Sequence, residues 1–350
     1  MYWMLFAVLS CAKKNLEPVV SVPTLPAPQA SWYAIEGEAP KDALVAKVAK
    51  KMHWNEALSG AAVDLALNIE GRMPRLEDAK WSAVRAGFPY QVYSVIVGDV
   101  DVDEFPHDLQ KILEQQRPAH IGLVRVRRGA MDRWVAILAS GGFLTSSFPR
   151  EIELGEQVRI EGQGNFRLLS PQGKIEEGHL PLQKQLTEQG EWWIELRTNE
   201  VYSSVPLYVG EGTPVENLFV TENMGTEPDV PKILVEETLL LLSDMRQRRG
   251  QSVWEEDDML IFFSQHSLQQ VLDTQWNKDA EVEKLRIAGF GGGPVYQLQC
   301  QANTVYTCLD GFSWNLDDRK ALLDRQIANV GISIHSTTSE VSMILNLASF

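Results

Sequence analysis

The sequence predicts an α+β protein in which two copies of one α/β unit flank a small all-β domain. One observation is a set of short motifs that recurs, in the same order, in the N-terminal and C-terminal parts of the chain. In each set, helical patterns come first and strand patterns last. The other observation is a middle region of short alternating segments separated by turn signals. A chain of 350 residues has room for two to three domains of ordinary size.

The N-terminal end predicts a lipid anchor. An apolar run ends in Val8-Leu9-Ser10-Cys11 and resembles the lipobox of a bacterial lipoprotein signal, in which the cysteine becomes the lipidated first residue. No Lys or Arg precedes the run, which departs from the usual signal pattern. Residues 1–10 are therefore interpreted as a signal segment. Residues 11–40, which contain five prolines, are interpreted as an extended tether.

The two copies are predicted at residues 41–145 and 232–350. Both begin with helical patterns and end with a β-hairpin, so antiparallel strands with helices packed across the sheet are expected. The recurring pairs, in chain order, are Trp54 with Trp254, Ala86-Gly87-Phe88 with Ala288-Gly289-Phe290, Val92-Tyr93-Ser94 with Val295-Tyr296-Gln297, His120-Ile121-Gly122 with Asn329-Val330-Gly331, and Trp134–Ser140 with Ser342–Ser349.

The region between the copies predicts a small β-sandwich at residues 146–213, followed by a Gly- and Pro-rich linker at 214–231. The expected strands are Glu151–Leu154, Gln157–Glu161, Phe166–Leu169, Glu191–Arg197 and Val201–Val209.

Charge and cysteine content limit the classes of partner. Lys plus Arg is 32 and Asp plus Glu is 47, so the net charge is 32 − 47 = −15. An acidic chain is disfavoured for nucleic-acid binding and for charge-driven membrane docking, because both depend on cationic side chains. Cys300 and Cys308 have the wrong spacing for a zinc knuckle or a redox pair, and two alternatives stay open: a local disulfide or two buried free thiols.

The repeated motifs resemble those of the CAP superfamily, the cysteine-rich secretory, antigen five and pathogenesis-related proteins. The resemblance is clearest in the second copy, where Asp318-Arg319-Lys320-Ala321-Leu322-Leu323-Asp324 precedes Val330-Gly331-Ile332. The copies cover about two-thirds of the chain. The resemblance implies an α-β-α sandwich for each copy. The middle region is similar to the immunoglobulin-like β-domains that accompany such modules in bacterial envelope proteins.

The resemblance also implies a cleft lined by two histidines and two acidic residues, a donor set that suits a divalent cation. The glutamate expected after the Val-Tyr step is Gln297 in the second copy and Ser94 in the first, and neither side chain ionises. The histidine expected before the arginine of the following helix is Asp318. Where the other histidine is expected, the chain has Trp276 and Asn277. The predicted tetrad is therefore degenerate, with no catalytic residue, no metal and no cofactor.

The leading hypothesis is a non-catalytic lipoprotein of the cell envelope, on the periplasmic or surface face of the outer membrane. It is anchored through Cys11 and acts as a binding or scaffolding module for an envelope protein. Two alternatives remain. One is a metal-dependent hydrolase with a different cleft near His107 and Asp108, beside the acidic strand Asp99–Glu104. The other is a carrier of an apolar ligand.

Overall fold

The computed structural model describes residues 32–33, 45–46, 54–68, 73–101, 107–116, 118–128, 131–141, 147–198, 202–210 and 231–349. Within them the chain is a mixed α+β structure with five sheets. The predicted signal segment, Cys11 and the linker up to residue 230 lie outside the described residues. None of the helices in the described ranges has both the length and the apolar composition that crossing a bilayer requires.

The first unit, described between residues 54 and 141, has a three-stranded antiparallel sheet covered by helices. Its elements are α1 (Glu56–Asn68), α2 (Leu76–Arg85), β2 (Val92–Asp101), α3 (His107–Gln116), β3 (His120–Arg128) and β4 (Met131–Ala139). The strand order is β2-β4-β3, with β3 and β4 forming the expected hairpin. Helix α1 begins where the Asn55 side chain accepts a hydrogen bond from the Leu58 amide at 3.0 Å.

The second unit, residues 231–349, has the same strand order with one short strand added. Its elements are α4 (Pro231–Arg248), β13 (Glu255–Glu256), α5 (Asp258–Leu272), α6 (Lys278–Ile287), β14 (Val295–Ala302), α7 (Val305–Trp314), α8 (Leu316–Leu323), β15 (Asn329–Ser336) and β16 (Val341–Ala348). The order is β13-β15-β16-β14, so β14, β16 and β15 repeat the arrangement of β2, β4 and β3. Asp257 caps α5 by accepting from the Leu260 amide at 2.9 Å.

A close helix–strand approach recurs in both units. A Cβ atom on Gly122 would lie 2.2 Å from the carbonyl carbon of Leu58, and one on Gly331 would lie 2.2 Å from that of Leu260. Only glycine lets the helix backbone lie this close to the strand. Because the leucines stand at corresponding places, the offset between the units here is 260 − 58 = 202 residues.

This offset corrects one motif pairing made from the sequence. Trp54 makes a parallel bridge to Ile121, whereas Glu256, and not Trp254, pairs with Val330 in the equivalent position. Matching Trp54 with Trp254 is therefore wrong by two residues. The two tryptophans are conspicuous in the sequence, but they do not set the position of the helix on the strand. The helix-capping residues and Leu58 and Leu260 set it, and these residue types are too common to stand out in a sequence.

The β-rich unit, described at residues 147–198 and 202–210, contains eight strands in these ranges. They are β5 (Phe148–Pro149), β6 (Glu151–Ile152), β7 (Gln157–Ile160), β8 (Asn165–Leu169), β9 (Ile175–His179), β10 (Leu182–Gln185), β11 (Gly190–Arg197) and β12 (Tyr202–Val209). A five-stranded sheet has the order β6-β12-β11-β8-β9, and β7 pairs with β10. The five predicted strands are present; β5, β9 and β10 were not predicted.

The folded part includes residues that the sequence placed in the tether. Strand β1 (Trp32–Tyr33) pairs antiparallel with β5, and Tyr33 is fully buried. The Tyr33 hydroxyl donates to the Pro206 carbonyl at 2.7 Å. The predicted tether boundary at residue 40 is therefore too late, because a buried aromatic ring and a strand pairing hold residues 32–33 on the β-rich unit.

Helix α2 lies at the junction of all three units. The Trp81 indole nitrogen donates to Asp310 of the second unit at 3.1 Å, and the Trp81 ring lies 6.1 Å from that of Trp193 in the β-rich unit. Lys80 adds a 3.0 Å ion pair to Asp310. Burial raises the pKa of the Asp310 carboxyl, and the Lys80 charge opposes this. A buried carboxylate with indole and ammonium donors thus joins the outer units.

Candidate functional site

The region where the resemblance places a cleft is filled in the second unit by a buried amide. Gln297 lies on β14 and is fully buried. Its Oε1 accepts from the Trp276 indole nitrogen at 2.8 Å, and its Nε2 donates to Asn346 Oδ1 at 2.8 Å and to Ser267 Oγ at 3.0 Å. Both hydrogens of the amide and one oxygen lone pair are therefore engaged.

A second layer of polar groups closes this network. The Ser267 hydroxyl donates to Glu281 Oε2 at 2.9 Å, and Asn346 Nδ2 donates to the Leu260 carbonyl at 3.2 Å. Glu281 is almost fully buried and also binds Lys284. The network ties together α5, α6, β14 and β16, and such fully paired buried groups act mainly to fix packing.

Asp318 lies nearby but outside this network. It is in the first turn of α8, where the Asn315 side chain caps its amide at 3.1 Å. Burial raises the pKa of Asp318 to about 6, and the charge of Lys278, whose Nζ lies 3.8 Å away, opposes this rise. Residues 276–278 contact both positions, because Trp276 binds Gln297 and Lys278 approaches Asp318. Gln297 and Asp318 thus have separate sets of partners, Trp276, Ser267 and Asn346 for the first and Asn315 and Lys278 for the second.

In the first unit, strand register changes which residue occupies the position equivalent to Gln297. Gln297 lies opposite Asn346, which is two residues before the end of β16. The corresponding position in β4 is Ile137, and a bulge in β2 places Val95 opposite it. Ser94, the residue expected from the motif, lies one position earlier. An apolar pair therefore replaces the amide pair of the second unit.

The alternative site in the first unit is only partly within the described residues. His107 is the first residue of α3 and is exposed. Both carboxylate oxygens of Asp99 accept from Arg133 at 2.8 Å, so this acid is already paired. The side chain of Asp108 and residues 103–104 lie outside the described part. Across the ranges that are described, no cluster of three or more His, Cys, Asp or Glu side chains could hold a metal ion.

The C-terminal cysteine pair is bonded in the structure. Cys300 on β14 and Cys308 on α7 form a disulfide with a Cα–Cα distance of 5.5 Å. Of the two alternatives left open by the sequence, the structure thus has the local disulfide. It joins the strand that carries Gln297 to the helix that carries Asp310.

Solved structures of bacterial secreted and surface proteins resemble this one distantly. A cysteine-rich secretory protein from Staphylococcus aureus is 12% identical, with a TM-score of 0.31, covering 75% of this chain and 89% of that chain. An extracellular protein containing an SCP domain from Bacillus anthracis is 10% identical, with a TM-score of 0.27, covering 73% and 78%. An outer surface protein from Borrelia burgdorferi is 12% identical, with a TM-score of 0.30, covering 36% and 100%.

No protein-family model and no curated protein matches the sequence.

Several residues of the network had no motif to point to them. Asn346 is one of two polar residues, with Ser342, in the otherwise apolar strand Val341–Ala348, and Ser267 lies on the buried face of α5. A polar residue inside an otherwise apolar face is the available signal, because burial requires it to find a partner. Glu281 gives no such signal, since α6 is rich in charged residues.

Proposed function

We propose that this chain is a non-catalytic lipoprotein of the cell envelope, anchored through Cys11, that binds or scaffolds another envelope protein through two CAP-like units. The motif resemblance supports the family. The shared strand order and the equivalent contacts of Gly122 and Gly331 support two copies of one unit. The alternation of strands at 147–210 supports a β-sandwich between them.

The hydrogen bonding of Gln297 is the main observation that supports a non-catalytic role. A carboxamide cannot accept a proton as a base, and this one has both N–H groups committed to buried partners. Binding a cation or substrate there would require breaking the bonds to Ser267 and Asn346. Leaving those groups unpaired in the interior costs about 1–3 kcal/mol each. The second unit therefore keeps the fold while its cleft position serves packing.

Metal binding tests the non-catalytic proposal. The full chain is dialysed against zinc or calcium, washed, and analysed for bound metal beside the Asp318→Asn variant. We expect less than stoichiometric metal for both proteins. Stoichiometric metal in the unmodified chain would contradict the proposal: its loss in the variant would place the metal at Asp318, and its retention would favour the metal-dependent hydrolase with a cleft near His107 and Asp108. Organic extraction and mass spectrometry of the same preparation tests the apolar-carrier alternative, which requires a bound lipid in stoichiometric amount.

Membrane partitioning tests the anchor. The net charge of −15 gives no electrostatic attraction to anionic lipids, so attachment depends on the covalent lipid. We expect Cys11→Ser to move the protein from the membrane pellet to the soluble fraction of cell lysates. Cys308→Ser serves as the matched cysteine control and should leave the partitioning unchanged. Equal partitioning of the Cys11 variant and the unmodified chain would overturn the anchor.

A further inference from the structure

Helices α2 and α6 occupy equivalent positions but differ in what covers them. Their ends are offset equally, since 278 − 76 = 202 and 287 − 85 = 202. Six residues of α2 are buried, against two of α6. The two buried positions of α6, Glu281 and Leu285, face its own unit. Within the described residues, the outer face of α6 is therefore uncovered where that of α2 is an interface.

The partners of α2 show what this face binds within the chain. Arg150 of the β-rich unit donates to the Val84 and Arg85 carbonyls, at 3.3 and 2.7 Å, at the C-terminal end of the helix. The Arg150 guanidinium also lies over the Tyr208 ring of β12 at 5.4 Å. An arginine between β5 and β6 thus caps the helix, whose carbonyl end carries partial negative charge.

Exposed apolar side chains lie at the equivalent end of α6 and on the neighbouring helix α5, with Ile287 on α6 and Met259 and Phe262 on α5. Ile287, Phe262 and Met259 are 79%, 61% and 49% exposed. In the first unit, a Cβ on Gly60, the equivalent of Phe262, would lie 3.9 Å from the Cβ of Ala86 at the end of α2. By this equivalence Phe262 starts beside the end of α6, where Ile287 is the last helical residue. We call Met259, Phe262 and Ile287 the α6 patch.

Most of the charged residues around the α6 patch are acidic, and the two cations in the last turn of α6, Lys284 and Arg286, are paired with Glu281 and Glu283. Glu255, Glu256 and Asp258 are exposed and directly precede Met259 in the chain. The C-terminal end of α6 adds the negative end of the helix dipole. An apolar patch with this rim is complementary to a surface that combines apolar and cationic side chains.

We propose that the α6 patch docks a β-sheet domain of a partner protein, which presents an arginine to the end of α6 as Arg150 does to α2. The inference rests on the proposed function, since it treats the two units as copies and the chain as a binding protein. A second copy of this chain is disfavoured as the occupant, because its own Arg150 is buried against its own α2.

Site-specific photocrosslinking of the full chain in the cells that make it tests the proposal. Phe262→p-benzoylphenylalanine places the probe in the patch, and Leu240→p-benzoylphenylalanine on α4, where Leu240 is 69% exposed, is the matched control. We expect an adduct from position 262 only, mapped by mass spectrometry to a β-sheet domain next to an arginine. Ile287→Asp in the same background should reduce its yield about tenfold or more, as for a central interface residue.

Every other outcome at position 262 overturns the proposal: no adduct, an adduct with lipid, with a helical partner or with a second copy, or an adduct that Ile287→Asp leaves unchanged. A third probe at Leu154, which is exposed on the β-rich unit, separates this failure from that of the proposed function. Protein adducts from positions 240 or 154 but not from 262 leave a binding role intact and reject only the α6 patch. The absence of protein adducts from all three positions counts against both.

Discussion

Gln297→Glu restores the carboxylate that the CAP resemblance expects, and the structure predicts that the restored group is harmful. The substitution replaces the amide NH2, which donates to Asn346 and Ser267, by an oxygen. That oxygen would face the Asn346 Oδ1 acceptor and the Ser267 hydroxyl, whose proton is already donated to Glu281. Two donors are lost, and an uncompensated charge is buried in their place.

The expected cost follows from these contacts. Breaking a buried, paired arrangement so that a charge remains uncompensated costs about 3–5 kcal/mol. Gln301→Glu is the matched control, because Gln301 lies on the same strand, is exposed, and makes one long bond to Ser342 at 3.4 Å. We expect the control to change the free energy of unfolding by at most ~0.5 kcal/mol.

The pH dependence of this cost gives a second, independent measurement. Burial disfavours the charged form, so the pKa of the introduced glutamate should be raised above its unfolded value of about 4.3. The penalty is then complete above the folded-state pKa and fades as the pH falls through it, because the protonated acid can donate to Asn346 or Ser267. Urea unfolding of both variants at pH 7.5 and pH 4.5 measures this. A Gln297→Glu protein as stable as the control at pH 7.5 would show that the position is open to water, and the argument for a filled cleft would fail.

Four further predictions follow from single positions. Gly331→Ala forces a Cβ against the backbone of α5, and should cost at least about 3 kcal/mol in urea unfolding. Gly311→Ala on α7, where a Cβ meets nothing within 4 Å, should instead gain up to ~1 kcal/mol. Reducing the Cys300–Cys308 disulfide, which closes a loop with a sequence separation of 8, should lower stability by about 2.5 kcal/mol, measured with and without dithiothreitol. Asp318→Asn should be more stable than the unmodified chain at pH 7, and the difference should vanish by pH 4, because the raised pKa of Asp318, about 6, makes its charged form the costly one.

Helix and hairpin patterns were predictable because they are local. The apolar spacing of α1 and α5 and the alternation in β11 and β12 specify each element without reference to distant residues. Strands β9 and β10 were not predicted because their residues are mostly polar. Their sequences are Ile175-Glu176-Glu177-Gly178-His179 and Leu182-Gln183-Lys184-Gln185. They are strands because β8 and β7 supply their hydrogen-bonding partners, and a partner of this kind leaves no periodic signal.

The positions of the expected site depended on register, which motifs specify poorly. One bulge in β2 moves Val95 into the place that the motif assigned to Ser94. The two-residue error at Trp54 is also an error of register. The motif aligned Trp54 with Trp254, whereas the capping residues Asn55 and Asp257 show that the correct offset is 202 residues. Contacts between units could not be predicted from local sequence. Nothing in the sequence around Lys80 and Trp81 indicates a bond to Asp310, which is 229 residues away from Trp81.

The difference between α2 and α6 shows how one fold can divide its surfaces between assembly and recognition. The outer face of α2 is used within the chain, and small residues such as Gly60 and Ala61 lie on the neighbouring α1. At the equivalent positions α5 has Phe262 and Phe263, whose rings lie 5.7 Å apart. Phe263 packs against the core of its unit, whereas Phe262 is 61% exposed, and exposed large apolar side chains grouped together are typical of an interaction surface. Charged substitutions in the α6 patch should therefore leave the free energy of unfolding nearly unchanged while they weaken partner binding. The reverse is expected for Trp81→Ala on α2, which should unfold the inter-unit junction.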